Sequence, residues 1–457
     1  MNDISNISDT IAAISTAPGE GGIAIIRVSG PQSLSIADKI FKCSPPLPSG
    51  RKSPAVVYGH IISEGITIDE SLLLIMRAPR SYTREDVVEF HCHGGTISAR
   101  KILRAVLQEK VRLAEPGEFT KRAFINGRID LLQAEAVMDL ISAQTDRSAA
   151  LAVEQLEGNL SHSFEDIYND TLGSCADLEA ALDFVEGELP GLFMTAVIQR
   201  LADALKKIGS ILSTWDEGHI LREGALVVIS GKPNAGKSTL LNALLGRDRV
   251  IVSPIPGSTR DVIEELLVMD GIPVRLVDTA GLTSSECVLE QEGVRRAINQ
   301  IEKADINLHV IDSSQALDDD DYKNMASLDP KKTIMVLNKT DLGFKITHAF
   351  ENHETIHSQL SANKGLIEIK CSIVRKIGIN KHNVHRFAIS ERHKQLLAAS
   401  QSDLIEAIKM LESSDESLIV IAASKVKSAL ENIAQALGRK YNQELLNSIF
   451  TRFCIGK

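Results

Sequence analysis

Apolar positions follow three regimes along the chain. Up to about Glu118, short apolar runs alternate with turns. GGIAIIRVSG (Gly21 to Gly30), VVYGHII, SLLLIMRAP and DVVEFHCHGG predict strands, while SLSIADKIF and ARKILRAVLQE predict helices. A proline-rich loop, Cys43 to Pro54, breaks this region, which predicts a compact α+β domain over 1–118. After the turn EPGEF (Glu115 to Phe119), apolar residues recur at steps of three and four, as in Leu172, Ala176, Leu178 and Leu182. AEAVMDLISAQT, the run from SAALAV to AALDF and AVIQRLADALKKIGSILSTW predict helices over 119–218, interrupted by GELPGL (Gly187 to Leu192). Strand-like runs return over 219–375, and helical periodicity resumes near Ser390 within the last block, 376–457. The layout is multidomain, α+β and α/β: a doubly wound nucleotide domain inserted into a helical bundle, behind an N-terminal α+β domain.

Composition narrows the function. At 457 residues, with 44% apolar and 24% charged residues, the chain reads as a globular protein of several domains. Aromatics make up 4%, and Trp215 is the one tryptophan, which argues against a surface that stacks many bases. No apolar run approaches a membrane span, and the acidic N-terminus does not read as a signal peptide. Six cysteines, at 43, 92, 175, 287, 371 and 454, contain no CxxC pair, which points to reduced thiols in a cytoplasmic protein. Residues 119–218 carry a charge of −10 and 376–457 carry +4. Packing between complementary helical faces explains this more simply than a limited nucleic-acid contact, which stays open. In His91, Cys92 and His93, strand alternation sends Cys92 to the opposite face from the histidines, which argues against a metal site. Asp318 to Asp321 predicts the acidic start of a surface helix.

The chemistry centres on GKPNAGKS, Gly231 to Ser238, between the apolar run Ala225–Ile229 and the helix-like TLLNALLG. Strand, glycine-rich loop and helix form a phosphate-binding loop, with Asn234, Ala235, Gly236, Lys237, Ser238 and Thr239 at the nucleotide. Lys237 would reach the outer phosphates, and Ser238 would hold Mg²⁺. Downstream, Asp278 ends VRLVD before Thr279, Ala280 and Gly281, where the Mg²⁺ sphere and the γ-phosphate are expected. Asn338, Lys339 and Asp341 end the next strand; a carboxylate there accepts both hydrogens of guanine's amidine edge, so the nucleotide is GTP. Ser361, Ala362 and Asn363 fit the last base-contacting loop, and Thr259 supplies a second Mg²⁺ hydroxyl. Leu282 stands where small signalling GTPases carry a water-positioning glutamine. Asn234 could ligate a monovalent cation that replaces an arginine finger, an effect of about 10³–10⁵-fold. The plain alternative for Asn234 is turn chemistry.

The order of domains, GEFTKRAFINGRIDLLQAEAVMDLI (Gly117 to Ile141) and the terminal FCIGK (Phe453 to Lys457) resemble the MnmE (TrmE) family of tRNA modification GTPases along the whole chain. The resemblance implies a K⁺-activated GTPase whose G domains dimerise during the cycle. On that pattern Asn234, Ser253, Ile255 and Ser258 bind K⁺, Ser258 replacing the family's usual threonine, and Glu290 orients the attacking water, with Glu292 a weaker match. It also implies an N-terminal domain that forms a constitutive homodimer and binds 5-formyl- or 5,10-methylenetetrahydrofolate through Arg27, Glu85, Arg128 and Lys457, with Cys454 a possible thiol. The partner would be the FAD-dependent MnmG, in a heterotetramer acting on the wobble uridine of tRNA. The alternative from another class is a regulatory GTPase in ribosome assembly or RNA binding, without base chemistry.

Overall fold

The computed structural model describes residues 9–182, 191–246, 264–278, 300–346, 350, 352–379, 387–413, 415 and 417–457. The chain divides into two units. One takes residues up to Met138 with Gln155–Leu205 and Leu396–Lys457; the other takes Asp139–Glu154 with Lys206–Gln395. Helical segments on either side of the nucleotide region thus contribute to both. Among the described residues, no helix is long and apolar enough to cross a membrane.

The first unit carries strands β1 (Ile11–Ile14), β2 (Ile23–Ser29), β3 (Phe41–Cys43), β4 (Ala55–Ser63), β5 (Ile66–Met76), β6 (Val87–His93) and β7 (Arg112–Leu113). They form one sheet in the order β3-β4-β5-β6-β2-β1-β7, antiparallel except for β1 with β7. Helices Ser33–Ile40 and Thr96–Gln108 cover one face, so Ile36, Ile102 and Val106 pack on Ile26, Leu73 and Phe90. Each such side chain contributes about 1.5–3 kcal/mol on burial. The alternation also leaves Val56, Tyr58 and Leu72 exposed on the neighbouring strands β4 and β5. Cys92 points into the core, where its Sγ–H meets the Ala24 carbonyl and burial pushes the thiol up to about 11. His91 and His93 instead bind Glu89 and Asp69.

The run from Ser148 to the region of Phe184, read as one helical stretch, is two helices, Asp146–Leu156 and Asn159–Ala181, parted at Gly158 (φ 93°). The periodicity of the second is as predicted, but its phase differs. Leu160, Phe164, Ile167, Cys175 and Leu178 face inward, while Leu172 and Leu182 are each 43% exposed. Ala176 is exposed as well. Thr171 and Ser174 take the inward places by hydrogen-bonding to the carbonyls of Ile167 and Asp170, four residues back, so small hydroxyls rather than leucines complete the stripe. Near the C-terminus, helix Gln443–Phe450 is capped by Asn442, and Phe450 and Phe453 pack with Leu131 and Ala134.

The second unit carries β8 (Ala225–Ser230), β9 (Glu264–Met269), β10 (Ile272–Asp278), β11 (Ile306–Asp312), β12 (Thr333–Asn338) and β13 (Glu354–His357) in the order β13-β12-β11-β8-β10-β9. All pairs are parallel except β9 with β10. β8 and β12 are buried along their whole length, as parallel strands covered on both faces must be. Helices Lys237–Leu245 and Leu366–Ile377 supply Leu240, Leu244, Ile369 and Ile373 to that core. In such a sheet ligands bind at the carboxyl ends of the strands, where Ser230, Asp278, Asp312 and Asn338 lie.

Candidate functional site

The phosphate loop leaves β8 at Gly231. Its φ of 131° and its closeness to β11, where an added Cβ would lie 2.2 Å from the Val310 carbonyl oxygen, both require glycine. Asn234 adopts a left-handed φ of 65°, so it does serve the turn, and it is exposed. Helix Lys237–Leu245 then begins with Lys237, Ser238 and Thr239 lining a cavity of about 650 Å³. Lys237 Nζ donates to the carbonyls of Gly231 (2.8 Å) and Lys232 (2.9 Å), held over the loop. Burial pushes this lysine below its ordinary value, with Asp278 opposing the shift. Ser238 Oγ lies 3.4 Å from Asp278 Oδ2. A hydroxyl and a carboxylate beside phosphates fit the hard-oxygen coordination of Mg²⁺.

The same cavity reaches Asn338, Lys339, Asp341 and Ser361. Asn338 is a brace: its Nδ2 donates to the Ala235 carbonyl (2.9 Å), and its Oδ1 accepts from Leu360 N–H (3.1 Å). It thereby ties the phosphate loop to the turn Leu360–Ala362, and Gly236 approaches it so closely that an added Cβ would lie 2.2 Å from Nδ2. Ala235 is buried behind the loop. Asp341 is exposed at the cavity, and Asn363 closes the Leu360–Ala362 turn with φ 55°. Ser253, Ile255, Ser258, Thr259, Thr279, Ala280, Gly281 and Glu290 lie outside the described residues.

In the other unit, the four folate-matched residues share one neighbourhood. Arg27 and Arg128 lie over the Tyr82 ring, 5.6 and 4.7 Å from its centroid, and Arg128 donates to the Tyr82 carbonyl. Arg27 Nε donates to Glu89 (2.7 Å), and its Nη1 donates to the Gly456 carbonyl (3.4 Å). Ser29, two positions on and therefore on the same face of β2, donates to Glu85 Oε2 (2.6 Å). The C-terminus docks here: Phe119 N–H donates to the Lys457 carbonyl (3.2 Å). Gly456, at φ 97°, sits where a Cβ would meet the Ile14 carbonyl oxygen at 2.4 Å. Cys454 is exposed.

Residues 10–128 match the family model described as GTP-binding protein TrmE N-terminus, and residues 131–454 match the MnmE helical domain. Proteins named tRNA modification GTPase MnmE align along the whole chain. The one from Geobacter sulfurreducens is 41% identical over 458 residues, covering 99% of this chain and all of that protein. The one from Clostridioides difficile is 41% identical over 467 residues, with 99% and 100% covered. The one from Bacillus pumilus is 39% identical over 464 residues, with 98% and 100% covered. The chain belongs to the MnmE family.

This MnmE family member contains functional neighbours that motif reading missed. Asp312 accepts from Lys339 Nζ (2.7 Å) and from Ser314, which keeps its carboxyl below the ordinary range although burial acts the other way. The available signal was register, since Asp312 pairs with Asn338 across β11 and β12. Leu342, 66% exposed, lines the cavity beside Asp341. Lys232 binds Asp318 (2.5 Å) and Asp321 (2.8 Å), so the acidic run that caps helix Asp319–Ala326 also anchors the phosphate loop. No local motif marks Ser29, Tyr82 or Glu89 around the folate-matched residues, and Arg122 lies within the Gly117 to Ile141 stretch without being singled out by it.

Proposed function

We propose that the chain is a potassium-activated GTPase which, with the FAD-dependent partner MnmG, adds an aminomethyl or carboxymethylaminomethyl group at carbon five of the wobble uridine of certain tRNAs. The observation that carries this reading is the convergence of Lys237, Ser238, Asp278, Asn338 and Asp341 on one sheet end in a member of the MnmE family. Lys237 binds the outer phosphates of GTP once it leaves the loop carbonyls, and Asp341 accepts from the guanine edge. Ser238, with Thr259, would hold Mg²⁺, which neutralises phosphate charge when bound. Asn234, Ser253, Ile255 and Ser258 would hold K⁺, and Glu290 orients the attacking water in place of the glutamine that Leu282 replaces.

The one-carbon unit comes from a tetrahydrofolate held by Arg27, Glu85, Arg128 and Lys457. The cations suit its glutamate tail, and the Glu85 carboxylate suits its pterin edge. The exposed apolar strip Val56, Tyr58 and Leu72 supports a homodimer through the N-terminal sheet, completed by MnmG as a heterotetramer in the cytoplasm. An exposed Cys454 suits a thiol near the one-carbon unit.

Hydrolysis should be faster in KCl than in NaCl, and Asn234→Ala should abolish the difference; equal rates in both salts for the unaltered protein remove the potassium mechanism. Glu290→Ala should keep GTP binding and lose most hydrolysis. Nucleoside mass spectrometry of cells lacking the protein tests the substrate, since unchanged wobble uridines exclude the tRNA role.

A further inference from the structure

Beneath Glu85 lies a partly buried ionic cluster to which nothing above assigns a role. Arg122 is fully buried, yet it serves three carboxylates. Its Nη1 donates to both oxygens of Glu85 (3.1 and 3.3 Å), and its Nη2 donates to Asp9 (2.7 Å) and Glu118 (3.0 Å). Arg112 binds the same Asp9 and Glu118 (2.8 and 2.6 Å). Two guanidiniums thus face three carboxylates, leaving one negative charge over. Glu118 meets both cations and is sealed, and Asp9 also meets both and opens to solvent at 47% exposure. Among the described residues, Glu85 meets one cation only.

The hydrogen bonds around Glu85 run in one direction. Its own N–H donates to Thr83 Oγ1 (3.3 Å), and Ser29 Oγ–H is committed to Glu85 Oε2. The 2.6 Å contact between the two hydroxyls must therefore carry the Thr83 proton to Ser29 Oγ. Ser29 and Thr83 are both fully buried. Every partner of the carboxylate within the cluster is a donor; Oε2 accepts from both Ser29 and Arg122 and Oε1 from Arg122 alone, so the lone pair left to offer is on Oε1.

We infer that Arg122, with Ser29 and Thr83, is a positioning device that fixes Glu85 as an Oε1 acceptor for the exocyclic amine of a 2-amino-4-oxo heterocycle. The inference rests on the one-carbon reading of this site and specifies which part of such a ligand is read. An exocyclic amine N–H completes the carboxylate at Oε1. A ring without the exocyclic amine leaves that Oε1 lone pair without a partner.

The test is calorimetric titration of the full chain with 5-formyl-tetrahydrofolate and with its 2-desamino analogue. Glu85→Gln and Arg122→Lys should each weaken the first ligand by about tenfold or more. The double variant should be no weaker than Glu85→Gln alone, because both changes act on one contact. Glu85→Gln should also lose the preference for the 2-amino ligand. Ser29→Ala breaks the hydroxyl chain with little change in volume and should weaken binding several-fold, which keeps the test alive should Arg122→Lys fail to fold. Wild-type affinity in Ser29→Ala, or losses that multiply in the double variant, would overturn the positioning role. A wild-type chain that binds neither ligand removes the one-carbon reading itself, a separate outcome.

Discussion

The phosphate loop and Glu85 are each backed by a buried polar cluster, and the two clusters are built on opposite principles. Behind the loop, Ser230 Oγ donates to Asn307 Oδ1 (2.8 Å) and accepts from His309 Nδ1 (3.0 Å), an arrangement of neutral groups. Behind Glu85, the partners are guanidiniums and carboxylates. The ligands proposed for the two sites account for the difference. A nucleoside triphosphate brings several charges, so its site needs one mobile cation, Lys237, and a supporting layer that adds no competing field. The pterin edge proposed for Glu85 is neutral, so the charge that orients its acceptor would have to be built into the protein.

The largest expected effect tests the neutral side of that contrast. Lys237→Ala should lower kcat/KM for GTP by about 10²–10³-fold, because the loop then loses the lysine that reaches the outer phosphates. Ser230→Ala, behind the same loop, should change it by no more than about threefold. Comparable losses in steady-state GTPase assays would mean that the backing cluster shapes the phosphate field, and the contrast would fail.

Acid should separate the two clusters by the pH at which each yields. Burial pushes His309 down to about 4 from an ordinary value near 6.5, so the unfolded chain binds its proton first as pH falls. The sheet carrying β11 should lose stability between about 6.5 and 4, by on the order of 3 kcal/mol at most. Asp9 and Glu118 behave otherwise. Burial raises them, but hydrogen bonds from Arg112 and Arg122 outweigh it, so both are held below their ordinary values. Their stabilisation is intact above about 4.5 and is lost only as pH falls further, through the lowered values. Hydrogen exchange followed by mass spectrometry, corrected for intrinsic rates, should show β11 loosening near pH 5 while β1 and β2 stay protected. His309→Phe should flatten the response of β11. Simultaneous loosening of both sheets would contradict the assignment.

The contrast also accounts for what could be read from residues alone. The GTP site is made of contiguous loops at strand ends, so GKPNAGKS and NKTD carry the chemistry within a few positions each, and their spacing suffices. The Glu85 site gathers Arg27, Ser29, Tyr82, Glu85, Arg122 and the terminal Lys457, more than 400 residues apart at the extremes. No period or local motif encodes that convergence; only resemblance pointed to Arg27 and Glu85, and Arg122, although it lies in the Gly117 to Ile141 stretch that carries the resemblance, is not singled out within it. Helix Asn159–Ala181 shows the same limit in the fold. Its periodicity was legible, but the packing of buried Thr171 and Ser174 set the phase.

The smallest expected effect concerns Asp312, a charged supporting residue in the site whose buried backing, Ser230, Asn307 and His309, is neutral. It lies at the rim, 13% exposed, and its partner Lys339 sits at left-handed φ 61°, a conformation a lysine side chain does not favour. The ion pair holds Lys339 at the cavity edge, next to Asp341, rather than supplying field to the phosphates. Asp312→Asn keeps a shorter-range hydrogen bond and removes the charge, so a partly exposed pair of this kind is worth about 1 kcal/mol or less. Nucleotide release, followed by stopped-flow displacement of a fluorescent guanine nucleotide, should quicken by no more than about fivefold, with kcat unchanged. A loss of kcat as large as that of Lys237→Ala would place Asp312 among the groups that act on the phosphates, and would mean that this site too relies on built-in charge.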